Sequence, residues 1–341
     1  MKKKTRNRMI MRLTAALTLL CAVMLAGCGI PSGLIEENRT PLPVQTGGDN
    51  PFADPTGHPQ PDGTYPNGSD SDPAGPENSG AKSIRTTLYY VTDEGYILPV
   101  RAEIPWEEGI AKACLMKLVA TPENSNVLKK EGLNAPIPAG TEIQLAIDEG
   151  EARVNLQNMP ALSDYRAEQN LFTSVINTLT EFSSIKTVSV FINGSTAKTA
   201  NGSDLPSHSG KLALNVENGA VAASGSAKPV TLYFPNGSGG LIVPVTRYSE
   251  SGGLYSAICA LAAGTELPGL RGCFPENTLV LGAAIENGVL TVNLSKDFLS
   301  IAETPGLYGL AMHTVLLTAQ PYGSIDEVVF TVNGTPYSPD A

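Results

Sequence analysis

The decade Asp148-Glu149-Gly150-Glu151-Ala152-Arg153-Val154-Asn155-Leu156-Gln157 carries a fold signature, and it returns as Glu286-Asn287-Gly288-Val289-Leu290-Thr291-Val292-Asn293-Leu294. In the first copy Ala152, Val154 and Leu156 alternate with Arg153, Asn155 and Gln157, the period of a half-buried strand. In the second copy Leu290, Val292 and Leu294 alternate with Thr291 and Asn293. Upstream, Glu149-Gly150 and Asn287-Gly288 sit where a two-residue hairpin turn belongs, because such a turn needs positive φ at both central positions.

Outward from this pair, further matches keep their order at a spacing near 140 residues. Thr87-Leu88-Tyr89-Tyr90 answers to Thr231-Leu232-Tyr233-Phe234, Leu98-Pro99-Val100 to Val243-Pro244-Val245, and Gly132-Leu133 to Gly269-Leu270. Phe191-Ile192-Asn193-Gly194 answers to Thr331-Val332-Asn333-Gly334. A fixed period of this size marks a duplication, and each copy is long enough for its own core. A helix is expected after each alternating strand. In the first copy Leu171, Phe172, Val175, Ile176, Leu179 and Phe182 share one face, with Ser163 as N-cap. In the second, Thr304 caps and Pro305 occupies the first turn, with Leu307, Leu310, Ala311 and Leu317 as apolar positions. An earlier helix is expected from Trp106 to Val119, and its counterpart from Leu254 to Ala262. Last strands follow at Val188, Val190, Ile192 and at Val328, Phe330, Val332. The expected fold class is α+β: two similar small domains, each a mostly antiparallel sheet with two helices in the order β-β-α-β-β-α-β.

The ends of the chain read differently. Lys2, Lys3, Lys4, Arg6, Arg8 and Arg12 form a basic head, the run from Leu13 to Met24 is largely apolar, and Leu25-Ala26-Gly27-Cys28 closes it. This is the layout of a secretory signal. The apolar run is short of the ~20 residues of a membrane span. A cysteine after Leu25, Ala26 and Gly27 matches the lipobox of bacterial lipoproteins, so cleavage before Cys28 and acylation of its thiol are expected. Two acyl chains meet the requirement for stable anchoring, at ~0.8 kcal/mol per buried methylene. The expected organisation is a signal peptide at 1–27, an acidic Pro/Gly-rich disordered tether at 28–82, a first domain at 83–200, a linker at 201–227 with one short strand, and a second domain at 228–341. Pro51 to Gly80 has few aliphatic residues and no Lys or Arg, a composition that cannot offset its ordering entropy.

Charge narrows the partners. The chain has 23 basic and 33 acidic residues; six basic ones leave with the leader, so 17 remain and the net charge becomes −16. No basic footprint for nucleic acid exists, and an anionic bilayer repels the chain, which leaves the lipid on Cys28 as its attachment to the membrane.

No catalytic residue, cofactor or metal site is expected. His58 lies in the tether and His208 in the linker, while His313 falls on a helix; no Cys or His stands at metal-ligand spacing from them. Glu36-Glu37 and Glu107-Glu108 are adjacent carboxylates, which do not face each other. Neither a Gly-x-Ser-x-Gly elbow nor a phosphate loop occurs. Cys114 shares an apolar face with Ile110 and Leu118 and is expected in the core. Export permits a disulfide between Cys259 and Cys273. The first copy has neither cysteine at the matched places, so the fold cannot depend on it.

The motifs Thr231 to Phe234, Leu241-Ile242-Val243-Pro244-Val245, the Gly-Leu-(x)4-Pro loops at Gly132 to Pro138 and Gly269 to Pro275, Val-Asn-Leu at 154–156 and 292–294, and Val332-Asn333-Gly334 resemble the GerMN domain family. The likeness spans 83–200 and 228–341, with a longer loop in the first copy from Thr121 to Ala139. It implies an extracytoplasmic lipoprotein of endospore formers, on the mother-cell membrane facing the intermembrane space. There it would support assembly of a sporulation and germination envelope complex through other envelope proteins. The family fold resembles ring-building modules of secretion systems, and no catalytic residues come with it. The alternatives are a module binding peptidoglycan or another glycan, which needs an exposed aromatic groove, and a wall hydrolase.

Overall fold

The computed structural model describes residues 83–195, 198–218 and 226–339. The lipobox, Cys28 and the tether lie outside them.

The first repeat opens with a long antiparallel hairpin, β1 (Ser83–Thr92) and β2 (Ile97–Pro105). Helix α1 (Ile110–Lys117) follows, then a further short helix α2 (Pro122–Leu128) within the longer loop of this copy. The two residues of β3 (Leu133–Asn134) return to pair with β1. A second sheet holds β4 (Glu142–Asp148), β5 (Glu151–Gln157) and β6 (Thr187–Ile192), with helix α3 (Tyr165–Thr180) between β5 and β6. The second repeat runs in the same order: hairpin β7 (Lys228–Pro235) and β8 (Ile242–Ser249), helix α4 (Leu254–Ala262), then β9 (Val280–Glu286) and β10 (Val289–Leu294), helix α5 (Leu307–Ala319), β11 (Glu327–Val332) and the short return β12 (Thr335–Pro336).

Each repeat is α+β, as the periodicities imply, but its strands fall into two sheets. The hairpins are antiparallel, and so are β4–β5 and β9–β10; the last strand joins its sheet parallel, in both copies. A helical crossover explains this, because it returns the chain to the end of the sheet from which it left. The turns behave as their residues require. Glu149 (φ 46°) with Gly150 (φ 86°), and Asn287 (φ 50°) with Gly288 (φ 80°), carry the hairpins.

Two helix starts and one helix length differ from the sequence expectation. Asp164, not Ser163, caps α3, accepting from the Ala167 amide at 2.8 Å. A carboxylate is favoured there by the helix dipole. Helix α5 begins after Gly306 (φ 79°); Thr304 instead ends a 3-10 helix over Lys296–Glu303. Helix α1 is shorter than 106–119, because Gly109 (φ 76°) breaks the chain ahead of Ile110.

The cores are separate. In the first, Leu88, Ile110, Cys114, Leu115, Val154, Leu156, Leu171 and Ile176 are buried. In the second, Leu232, Phe234, Ile258, Val292, Phe298 and Phe330 are fully excluded from solvent. Phe330 meets Phe298 edge-on with ring centres 5.1 Å apart, a geometry that adds to area burial.

Candidate interaction surface

Two matched motifs prove to be structural clamps. Asn155, fully buried, accepts from the Gly194 amide at 3.0 Å, and Asn193 donates its amide to the Leu156 carbonyl at 3.0 Å. In the second repeat Asn293 accepts from Gly334 at 2.9 Å and Asn333 donates to Leu294 at 3.0 Å. The Asn of Val-Asn-Leu therefore holds the Asn-Gly turn that follows the parallel strand. A side-chain oxygen satisfying a turn amide is the reason for that residue type at that place.

The segment between the repeats does more than connect. Asn177 on α3 donates to the Leu212 carbonyl (2.9 Å) and accepts from its amide (2.8 Å). Asn218 makes the same two-way bond with Tyr248 of β8. Between them Asn215 accepts from the Ile97 amide (2.9 Å) and donates to the carbonyls of Ile97 (2.8 Å) and Pro244 (2.7 Å). Ile97 belongs to the first repeat and Pro244 to the second, so one side chain stitches both hairpins. The short strand expected from Leu212, Leu214 and Val216 is replaced by these amide clamps. Ahead of them, Ser209 bridges to Val188 along the outer edge of β6.

Around this stitch the repeats touch reciprocally. Tyr96, just before β2, donates to the Pro268 carbonyl of the second repeat at 2.7 Å. Leu241, its counterpart just before β8, packs against the core of the first repeat. Glu94 accepts from Asn236 at 3.0 Å. Gly269 (φ 80°) lies under Glu94, whose Cγ would be 3.1 Å from an added Cβ, so close approach and left-handed backbone both demand glycine here.

Two carboxylates fasten the segment at its ends. Glu168 is 2% exposed and takes donors from Thr199 (2.6 Å), Ser203 and Asn201 (3.0 Å). Burial pushes its carboxyl upward, but these donors outweigh burial and hold it below the ordinary range. Glu217 pairs with Arg247 and accepts from Thr265 (2.6 Å) and Glu266 (2.7 Å). It is held low in the same way, against burial.

The residues singled out for chemistry scatter. His313 is exposed on α5. His208 lies 3.1 Å from Glu151, which also accepts from Ser189. Glu107 and Glu108 are exposed. Cys114, Cys259 and Cys273 are free thiols. The pairing that export would permit is therefore not formed; Cys273 sits 2.8 Å from the Thr314 hydroxyl instead, and burial raises its thiol to about 11. Burial lifts Cys114 to about 12, in the core place expected for it. Among the described residues no group of three or more His, Cys, Asp or Glu could hold a metal, and no helix is long and apolar enough to cross a membrane.

What the geometry offers is surface and rigidity. The exposed apolar side chains of the second repeat include Tyr255, Leu279, Leu281 and Leu299. None of them was singled out by sequence, because an exposed leucine and a buried one read alike without the fold.

A family model described as Germane, sporulation and spore germination, matches residues 87–198 and 231–338. The spore germination protein GerM of Bacillus subtilis (strain 168) is 29% identical over a 273-residue alignment that covers 75% of this chain and 74% of that one. The solved tandem GerMN domains of the sporulation protein GerM from Bacillus subtilis superpose with a TM-score of 0.52 at 25% identity, covering 74% of this chain and 92% of that structure.

Proposed function

The chain belongs to the Germane family of sporulation and spore germination, and on that premise we propose that it is a membrane-anchored, extracytoplasmic, non-catalytic lipoprotein supporting assembly of a sporulation envelope complex. The observation that carries this reading is the match of both repeats, in order, to one family model and to a tandem-domain structure. The leader supports the location: Leu25-Ala26-Gly27-Cys28 offers a thiol for diacylglycerol, and the acidic chain has no other affinity for an anionic bilayer. The arrangement of side chains supports the absence of catalysis. Of the carboxylates held low, Glu168 and Glu217 are consumed by positioning backbone and hydroxyls, Glu151 by Ser189 and Arg153, and Asp164 by capping α3. Partners are then other envelope proteins, with the bilayer engaged through acylated Cys28.

A glycan-binding role would use exposed rings. The aromatic side chains Phe274, Phe298, Phe330 and Tyr337 pack on one another, Tyr89 and Tyr90 are buried, and the exposed rings Trp106, Tyr165, Tyr255 and Tyr322 sit on four different segments, so assembly is the better-supported reading. Deleting the gene in its spore-forming host tests it. Spore yield or germination should fall, and Cys28→Ser should give the same defect with the protein released from the membrane fraction. Normal sporulation and germination in the deletion strain would overturn the proposal.

A further inference from the structure

The two repeats share a fold but not an edge. Ile143 faces Leu156, and Val280 faces Leu294, so β4 and β9 occupy the same place and Glu142 is the counterpart of Leu279. Both strands end their sheets, with no strand beyond them among the described residues. An open edge invites pairing with other chains, and native sheets protect it with charge or cover. On β4 the outward positions are Glu142, Gln144, Ala146 and Asp148. On β9 and the residue before it they are apolar or small as far as Ala284, and only the last, Glu286, is charged. Leu279 is 63% exposed and Leu281 is 48% exposed. Leu281 is the additional residue at a bulge where the register shifts between Asn293 and Leu294. Next come Gly282, where an added Cβ would meet nothing within 4 Å, and Ala284.

The outer sheet face repeats the contrast. In the first repeat the middle row is Ala146, Arg153 and Ser189; in the second it is Ala284, Thr291 and Val329. Arg153 pairs with Glu151, and the linker lays His208 against that same carboxylate, so the first face is charged and strapped. The second face has no such strap among the described residues. Its carboxylates gather at one end, where Glu286 and Glu327 both stand beside Val289 and Asp326 adjoins Gly288. No ion pair engages these three among the described residues. At the other end the Tyr255 hydroxyl donates to the Val280 carbonyl at 3.1 Å and closes the strand off.

We infer that β9 is a docking edge for an extended strand of a partner protein, apolar at alternate positions and basic where it meets Glu286, Asp326 and Glu327. Main-chain bonds to residues 281–286 would supply the affinity, and Leu279, Leu281 and the acidic end the choice and direction of partner. A second copy of the chain is disfavoured as the occupant, because an antiparallel pair of β9 strands would bring two acidic chains together, and β9 itself holds no basic residue to meet Glu286. The inference rests on the assembly reading above and specifies its surface.

The test uses the full chain and two synthetic heptapeptides of alternating valine and threonine, one ending in lysines and one in glutamates. Amide exchange is followed on both edges at once, so β4 serves as the internal control. The lysine-ended peptide should slow exchange of residues 281–286 at least about fivefold at saturation and leave 142–148 unchanged. Its effect should fade as salt rises, and Leu281→Lys and the double variant Glu286→Lys, Glu327→Lys should remove it. These positions are exposed, so the variants keep the fold, which far-UV dichroism verifies. Equal protection of both edges, equal response to both peptides, or no protection at any concentration overturns the inference. So does protection of β9 without peptide together with a doubled mass in solution, which makes a second copy the occupant. A failure here beside a sporulation defect on deletion sinks the edge and leaves the proposed function standing.

Discussion

Asn215→Gly removes the stitch between the repeats with the least disturbance elsewhere. The wild-type residue has φ 47°, a left-handed conformation that glycine adopts freely and alanine only at a cost of ~1–2 kcal/mol. Glycine therefore isolates the side chain's contribution from backbone strain. Three hydrogen bonds disappear, to the Ile97 amide, the Ile97 carbonyl and the Pro244 carbonyl. At ~0.5–1.5 kcal/mol each, the loss is about 1.5–4.5 kcal/mol. Ile97 is only 3% exposed, so its amide cannot readily turn to water and the upper half of that range is expected. Asn215→Asp sharpens the case. Its carboxylate can still accept from Ile97, but it then places negative oxygen against two carbonyls that had received donors. At neutral pH it should be more harmful than glycine, and acid should restore part of the loss as the carboxyl gains a proton to donate. Urea unfolding followed by tryptophan fluorescence, from the one Trp in the sequence, Trp106, and by far-UV dichroism reads both quantities. With a slope of about 2–3 kcal/mol per molar, the glycine variant should lower the midpoint by about 1–2 M, and the two probes, coincident in the wild type, should separate as the repeats uncouple. A shift below about 0.2 M with coincident probes would refute the reasoning, because it would mean that the reciprocal contacts at Tyr96 and Leu241 hold the repeats without the amide.

Further expectations concern titration, thiols and the anchor. Glu168 is held below its ordinary value in the fold, and an unfolded glutamate titrates near ~4.3. The unfolded chain thus takes up the proton first, and the stability that Glu168 contributes is full above about pH 4.3 and lost as pH falls through the lower folded value. Glu168→Gln should flatten that acid limb of the stability curve; an unchanged limb would show that the Thr199, Ser203 and Asn201 donors are not felt. Cys259 should react with a thiol reagent in the native protein while buried Cys114 and Cys273 do not, and all three should react after unfolding without reductant; a mass lower by two hydrogens would instead reveal a bridge. Cys28→Ser should leave unfolding of the repeats unchanged while abolishing membrane fractionation and lipid labelling.

The elements legible in the sequence are those whose evidence is local. The Asn287-Gly288 turn, the alternation over 289–294 and the helix from Leu254 to Ala262 each depend on residues within one turn of one another, and each stands where period and turn chemistry place it. Helix beginnings were harder. Ser163 and Thr304 are good caps by type, but a neighbouring carboxylate at Asp164 and a left-handed glycine at Gly306 govern the geometry. The parallel pairing of β6 and β11 was not legible, because alternation reports that a strand has one buried face and says nothing of its direction. Least legible were the amide clamps. Asn177, Asn215 and Asn218 are polar residues in or beside a polar linker, and their partners lie between 29 and 118 residues away in the chain.

The duplication turns this illegibility into a usable comparison. Residues that the fold requires should recur in both copies, and they do: the clamping pair Asn155 and Asn293, the turn pair Asn193 and Asn333, and the strand prolines Pro99 and Pro244. Proline has no amide to donate, so within a sheet it belongs on an edge strand. Its recurrence removes one donor from each of β2 and β8, the main chain of Leu214 and Glu217 bonds Thr246 of β8, and Asn215 satisfies the Pro244 carbonyl. Where the copies differ at matched and exposed positions, the fold is not the reason for the difference. Glu142 against Leu279 is such a place, and the half-buried pair Arg153 and Thr291 on the outer sheet face differs in the same sense. A surface leucine alone would mean little. A leucine in the second repeat where the first carries a protective charge, on an edge that both must manage, is a departure from the fold's own needs, and that is the physical ground for assigning the β9 edge to a partner.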